Sequence, residues 1–477
     1  MKDLLPHYEQ ELSLLRQRAA EFAARFPGVA SQLQFGHGTS GDPHTERLIQ
    51  ATALLTARVN KSLEDGYSRF TESFLDTLFP HYLRPFPSCA VVQARLPAEA
   101  KSGPVIPRGT ELYAAPVEDV SCRFRTCYDI RHVPVGLPHV SFNASPAFPP
   151  SIRVPGACAT SLDIDIEAAD QQAGFASLTD TALRIYLDGE TSVVAVARDI
   201  LAAQVTAAYV ETGPGEWMLL PTVPLAPVGF ADDEALVPFS PRSHPAYRLL
   251  TEYFAFPEKF NFIDINLAEI VPYVAQECRR FTLHLLLADV RADSHEASLL
   301  ATLSAKNFLT GCSPVANLFR QTAVPILVTH ERADYALLSD AEHAWAYDVH
   351  TVDAVRMLHR DEQGTSLTEF RPFYSVRHGE GKDKQGHYYV VRRDDALGAG
   401  HENRIAFVDT DFDPTRCEQA TVSIELTCTN RNLPSRIACG RPEGDLSPPI
   451  GWAPGSAIRF VRRPTAPRRF AATPALQ

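Results

Sequence analysis

The hydrophobic period of this sequence changes once, near Ser88, and that change restricts the fold more than any other feature. Before it, apolar residues recur every three or four positions; after it, they recur every second position. The first spacing lines one face of a helix and the second lines one face of a strand. A helical module followed by sheets is the fold that satisfies both. Leu5, Tyr8, Leu12, Leu15, Ala19, Phe22 and Phe26 alternate steps of three and four, with Glu9, Glu11, Arg16 and Arg18 off the stripe. So narrow a seam packs against another helix rather than a broad core. The residues leave open whether that helix belongs to this chain or to another. Tyr8, Leu12, Leu15, Ala19, Phe22 and Phe26 are therefore the candidate partner-helix contacts. A second stripe runs Leu48, Ala51, Leu55, Val59, Leu63, Tyr67, Phe70, Phe74 and Leu78. Asp42 then Pro43 marks its start, a side-chain cap before a proline in the first turn. Gly66 is expected to divide it into two helices, and Pro80 ends it.

Beyond Ser88, Leu162, Ile164 and Ile166 alternate with Asp163, Asp165 and Glu167. Leu183, Ile185 and Leu187 repeat the pattern and turn at Asp188-Gly189; Phe281, Leu283, Leu285 and Leu287 follow it, as do Val422, Ile424, Leu426 and Cys428. Strands with one wet face form mainly antiparallel sheets. Few helical windows interrupt them, "SHEASLLATLSA" being one. The fold class is α+β. With 477 residues the chain exceeds one ordinary core. The expected division is a helical bundle module at 1–84, a wing-like β-rich domain at 85–270, a second β-rich domain at 271–458 and a basic tail at 459–477. Proline, 37 of 477 residues, clusters in stretches such as "FPHYLRPFPS", which suits short elements joined by stiff loops.

Net charge is −12, which argues against general nucleic-acid or anionic-membrane binding. Nine cysteines without a CxxC fit reduced thiols and a cytoplasmic protein. No signal-peptide core opens the chain, and no apolar run approaches the roughly 18 residues of a membrane span.

Motifs that would carry chemistry fail on context. Gly36-His37-Gly38-Thr39-Ser40-Gly41 fits G-x-G-x-x-G, but a helix precedes it where a dinucleotide site needs a strand. His359-Arg360-Asp361 resembles a kinase catalytic loop without its later Asn or a DFG. Asp409, Asp411 and Asp413 lack the Gly and final acid of a calcium loop. No HExxH and no G-x-S-x-G occur. No catalytic, cofactor-binding or metal residue is assigned, and no cofactor is expected. Arg459, Arg462, Arg463, Arg468 and Arg469 crowd near the end, as a solvated tail or as a docking strip for an acidic partner.

One stretch is dense in aromatics. "LLTEYFAFPEKFNFIDI", Leu249 to Ile265, carries Tyr253, Phe254, Phe256, Phe260 and Phe262 around Pro257, with Glu258 and Lys259 beside it. Pro257 stops a short amphipathic helix, and the rings anchor the start of the strand "FNFIDI". Direct contact with a partner is the other reading.

"YRLLTEYFAFPEKF" (Tyr247 to Phe260) closely resembles a segment of the TssF family, also called VasA or ImpG, whose members are baseplate subunits of the type VI secretion system. "YEQELSLLRQRAAEFAARFP" (Tyr8 to Pro27), "TLFPHYLRPFPS" (Thr77 to Ser88), "CRFRTCYDI" (Cys122 to Ile130), "GCSPVANLF" (Gly311 to Phe319), "YDVHTVDAV" (Tyr347 to Val355) and "ELTCTNRNLP" (Glu425 to Pro434) resemble the family in the same order. The resemblance spans nearly the whole chain. It implies a non-enzymatic structural subunit of the baseplate wedge, pairing with TssG and with a second TssF copy, beside TssK and TssE. It further implies a platform around the VgrG spike that starts the Hcp tube and the TssB–TssC sheath, in the cytoplasm at the inner-membrane-docked baseplate. Family members continue past the point matching Gln477, so a further C-terminal region is expected in them. The family carries no catalytic residues. Two other readings stay open on the residues alone: a phage-derived contractile-tail baseplate protein, and a carbohydrate-binding or hydrolytic multi-β-domain protein.

Overall fold

In the computed structural model, the described residues are 4–32, 41–95, 105–150, 152, 154, 158–169, 174–175, 178, 182–239, 243–275, 277–329, 331–361, 364–373, 386–394, 397–409, 420–447 and 456–469. They form an α+β fold in two compact units, Met1–Leu83 and Arg84–Gln477.

The first unit is helical: α1 (Leu5–Arg25), α2 (Pro27–Gln32), α3 (Pro43–Leu78) and α4 (Pro80–Leu83). Asp42 caps α3, accepting from the amides of His44 at 3.1 Å and Thr45 at 3.2 Å. Those hydrogen bonds hold the Asp42 carboxyl below its usual range, led by the one from the Thr45 hydroxyl. The expected break at Gly66 does not occur, because α3 runs unbroken through it. One glycine costs only about 1 kcal/mol in a helix interior, and 36 residues of hydrogen bonding absorb that.

The second unit is built of strands. The first group is β1 (Cys89–Arg95), β2 (Glu111–Tyr113), β3 (Arg123–Thr126), β4 (Val135–Gly136), β5 (Val140–Asn143), β6 (Cys158–Ala168) and β7 (Ala182–Leu187). After helix α5 (Thr191–Ala203) come β8 (Val205–Glu211), β9 (Trp217–Leu219) and β10 (Leu225–Pro227), then α6 (Pro245–Ala255) and β11 (Phe262–Asn266). Next are α7 (Leu267–Ile270), β12 (Arg280–Ala288), α8 (His295–Leu300), β13 (Phe308–Thr310), β14 (Cys312–Ala316), β15 (Phe319–Thr322), β16 (Ile326–Val328) and β17 (Tyr335–Ala336). The last are β18 (Asp348–Asp361), β19 (Gly364–Pro372), β20 (His387–Arg393), β21 (Asn403–Asp409), β22 (Ala420–Thr429) and β23 (Ala457–Arg462).

Among the described residues four sheets result, ordered β2-β3-β14-β1-β23, β10-β11-β7-β13, β4-β6-β12-β8-β9 with β5 on β6, and β15-β22-β18-β19-β20-β21-β17 with β16 on β22. Among the described pairs only β19–β20 is parallel. Leu162, Ile164 and Ile166 of β6, Leu183, Ile185 and Leu187 of β7, and Leu283, Leu285 and Leu287 of β12 share one buried core with α5 and α8. A second core joins Ala90 and Val92 of β1 to Val422, Ile424 and Leu426 of β22.

The sheets cross the division expected near residue 270. β12 lies beyond it yet pairs with β6 and β8. β1 lies before it yet pairs with β14 and β23. Strands choose partners by which face they bury and not by nearness in sequence. Helix α5 also went unread, because its run of Val193, Val194, Val196 and Ile200 resembles a strand as closely as a buried helix.

Candidate functional site

α1 packs on α3, and hydrogen bonds fix the pairing: Arg16 Nη2 to Glu46 Oε1 and Asn60 Nδ2 to Glu11 Oε1, each 2.6 Å. On a wheel of 100° per residue, Glu11 and Arg16 flank the α1 seam on opposite sides. Since both reach α3, the seam between them faces α3. Tyr8, Leu12, Leu15 and Ala19 are accordingly half-buried within this chain, whereas Phe22 and Phe26 are exposed.

α3 uses a different face from the expected one. Ala53 and Ala57 are fully buried, with Ile49 and Asn60 half-buried on the same side. The expected stripe turns outward: Leu48 is 68% exposed, Leu55 63%, Val59 57% and Leu63 60%. At about 54 Å against about 32 Å for α1, α3 also outruns its neighbour, and Phe74 and Leu78 near its end are exposed. A helix draws most of its stability from packing. This one, with two small buried residues among those whose side chains are described, leaves a long apolar face without cover from α1.

The aromatic stretch in the second unit is an anchor with an ionic centre. Pro245 starts α6 behind His244, whose Nδ1 accepts from the Ala246 amide at 3.2 Å, and Pro257 follows its end. Phe256, Phe260 and Phe262 are buried, and the Phe262 ring packs on Tyr128 at 5.2 Å and Tyr186 at 4.8 Å. Lys259, fully buried, donates to Glu252 Oε2, not to the adjacent Glu258. Glu252 Oε1 accepts from the Leu236 amide at 2.7 Å. Arg248, also buried, lies 3.6 Å from Glu252 and donates to the Phe230 carbonyl at 2.8 Å. Burial holds the Lys259 ammonium below its usual value, and Glu252 offsets part of that. Tyr247, Leu250, Tyr253 and Phe254 remain exposed on the outer face of α6.

These two features, an uncovered helical face and an aromatic anchor around a buried ion pair, meet the comparisons with known proteins. The sequence matches the type VI secretion system TssF family over residues 1–477. It is 31% identical over 494 residues to type VI secretion system component TssF1 of Pseudomonas aeruginosa PAO1, covering 98% of this chain and 77% of that one. This chain belongs to the TssF family. Its fold is similar to a chain of the cryo-electron-microscopy TssK-TssF-TssG baseplate subcomplex, with TM-score 0.66 and 25% identity over 90% of this chain and 75% of that one. A chain of the type VI secretion baseplate complex shares the fold at TM-score 0.51 and 22% identity, over 98% and 77%. Baseplate assembly is thus the setting of the structures that this TssF-family chain resembles.

Within this family member the terminal arginines serve internal contacts. Arg459 donates to the Pro442 carbonyl at 2.5 Å, and Arg462 to the Gly189 carbonyl at 2.6 Å with Asp188 at 3.0 Å. Arg468 donates to the Phe254 carbonyl at 2.5 Å, and Arg469 Nε lies 3.3 Å from Asp348. Arg463 is exposed. A second buried ionic group surrounds Asp348, where Arg431 pairs with Glu402 and Arg393 lies 3.1 Å from Asp348. Burial opposes ionisation of Glu402, but the Arg431 hydrogen bond and charge, a backbone hydrogen bond and the Arg393 charge together hold the carboxyl below its usual range.

The motifs dismissed on context fare as follows. His359, Arg360 and Asp361 end β18, in ladder register with β19, and not in a catalytic loop. Asp409 ends β21, while Asp411 and Asp413, like Gly36 to Ser40, fall outside the described residues. No cluster of three or more His, Cys, Asp or Glu is placed to hold a metal among the described residues. Burial pushes the Cys122, Cys127 and Cys428 thiols up to about 12, which disfavours the reactive thiolate. No described helix is long and apolar enough to cross a membrane.

Proposed function

We propose that this chain is a non-catalytic structural subunit of a type VI secretion baseplate wedge, and that its helical unit is the docking element. The observation that carries this reading is the outward stripe Leu48, Leu55, Val59 and Leu63 on α3. Fully burying one leucine or valine is worth roughly 1.5–3 kcal/mol. Covering four half-exposed ones with a partner helix therefore yields several kcal/mol without new polar contacts. TssG is the partner proposed for this face, joined by the Phe22 and Phe26 end of α1. The likeness of this fold to a chain of a TssK-TssF-TssG baseplate subcomplex supports both TssG and TssK. A second TssF copy, TssE, the VgrG spike and the TssB–TssC sheath complete the proposed surroundings, in the cytoplasm at a baseplate docked on the inner membrane. The β-rich second unit acts as a stiff arm, its shape fixed by the buried ion pairs and by the arginines at 459–469.

The test is co-purification from cells expressing this chain with TssG and TssK. Leu55→Asp with Val59→Asp, both on the outer face, should abolish TssG recovery while the chain stays soluble and folded. Leu12→Asp with Leu15→Asp should instead unpair α1 from α3 and lower the stability of the helical unit as well. Undiminished TssG recovery with the α3 double variant overturns the assignment of the docking face.

A further inference from the structure

Helix α6 is built inside out. On a wheel of about 100° per residue, Arg248 and Glu252 share one side, and Leu250 stands opposite them, flanked by Tyr253, Phe254 and Tyr247. The charged side is the buried one, held by Lys259 and the Phe230 carbonyl. The aromatic side faces out, with Phe254 69% exposed. An ordinary surface helix does the reverse and turns its apolar stripe to the core.

Phe230, in the loop before α6, extends this face. Its ring packs on Phe260 at 5.2 Å, as Tyr253 does at 5.9 Å, and Tyr253 meets Phe254 at 5.6 Å. Phe230 is itself exposed. The rings thus form one connected patch rather than scattered single residues. Just beyond Phe230 stand Asp232, whose side chain is 89% exposed, and Asp233, also exposed. The cations nearby are committed within the chain. Lys259 lies buried 5.0 Å from the Phe260 ring, Arg468 donates to the Phe254 carbonyl, and buried Arg248 reaches Asp232 at 3.3 Å.

The size and charge of the patch select what covers it. Four half-exposed rings and a leucine leave on the order of 500 Å² of apolar surface. That suits a peptide segment and falls short of the roughly 800 Å² that each side of a standard interface buries. Two copies meeting through this face would also bring their aspartates together. An anionic lipid surface is repelled by the same acids. A guanidinium satisfies both parts of the patch, because its plane stacks on Tyr and Phe rings while its N–H groups pair with carboxylates.

We propose that the outer face of α6, with Phe230, Asp232 and Asp233, is a docking site for an arginine-bearing segment of a partner protein. It belongs to the second unit and is separate from the α3 face. Arginine planes lie on the exposed rings, apolar side chains of the same segment cover Leu250, and the two aspartates take the free guanidinium edges. Lysine is the poorer ligand, because its compact ammonium is strongly hydrated and has no plane to stack.

The probe is a fluorescein-labelled peptide alternating arginine and leucine, titrated with the full chain and followed by anisotropy. The matching lysine-leucine peptide should bind about tenfold more weakly. Leu250→Ser with Phe254→Ser should weaken the arginine peptide by about tenfold or more. Asp232→Asn with Asp233→Asn leaves α6 intact should the first variant not fold. It should weaken binding about threefold, an effect that fades at high salt. Equal affinity for the two peptides, or arginine-peptide binding unchanged in both variants, overturns the proposal. So does self-association of the chain, or its retention by phosphatidylcholine vesicles, that the Leu250 and Phe254 substitutions abolish.

Discussion

Leu55 and Val59 on α3 stand in solvent, while Leu283 and Leu285 on β12 are sealed completely. The four residues have the same chemistry, and the difference lies in what their elements are given to pack on. β12 is flanked by β6 and β8 and shares a core with α5, α8 and the β7 sheet. α3 packs mainly on α1, which is about three-fifths of its length, and it meets α1 through alanines. The second unit closes its own cores. The first presents apolar surface that only another surface completes. In a monomer, an exposed patch of that kind marks an interaction site.

Several substitutions break or sharpen this contrast. The largest effect belongs to Glu252→Ala. It strands Lys259 as a buried charge and leaves Arg248 only Asp232 and the Phe230 carbonyl, and should cost about 3–5 kcal/mol of second-unit stability, measured by denaturant unfolding. Replacing the pair together, Glu252→Leu with Lys259→Met, should recover much of that loss. A double variant no better than the single one would show that the ion pair itself holds the anchor. Next, Leu283→Ala should cost about 2–5 kcal/mol through the cavity it leaves. Smaller again is an acid effect. The Glu402 carboxyl is held below its usual range, so its contribution is present above the ordinary carboxylate value and is lost as pH falls through the depressed one. Wild-type stability should therefore drop below about pH 4, with a slope that flattens in Glu402→Gln. Last, Leu55→Ala should change the stability of the isolated chain by less than about 0.5 kcal/mol. A loss of about 3 kcal/mol there would mean that α3 is covered within this chain.

How far the sequence could be read follows from the same contrast. Period-two alternation identified β7, β12 and β22 to within a residue or two, because each buries one face in a large core; it found β6 as well but missed its first residues, Cys158 to Thr160. The capping pair Asp42-Pro43 marked the start of α3. Periodicity gave the apolar stripe of α3 but not its orientation, since Ala53 and Ala57 on the packed side carry far weaker hydrophobic signal than the leucines on the free side. Pairing across the expected boundary was invisible, because it depends on registers that sequence spacing does not encode. Of the aromatic stretch, the helix stop at Pro257 and the anchoring rings were legible. The partner of Lys259 was not, because Glu258 is adjacent in sequence while Glu252 is adjacent only once α6 has formed.

Hydrogen–deuterium exchange reads the cover on α3 itself, comparing the full chain alone with the same chain bound to TssG. The amides of residues 43–63 on α3 should gain strong protection on binding, while β6, β12 and β22 exchange equally slowly in both states. Protection of α3 that is already complete in the free chain, with gains confined to the β sheets, would contradict a docking face on α3.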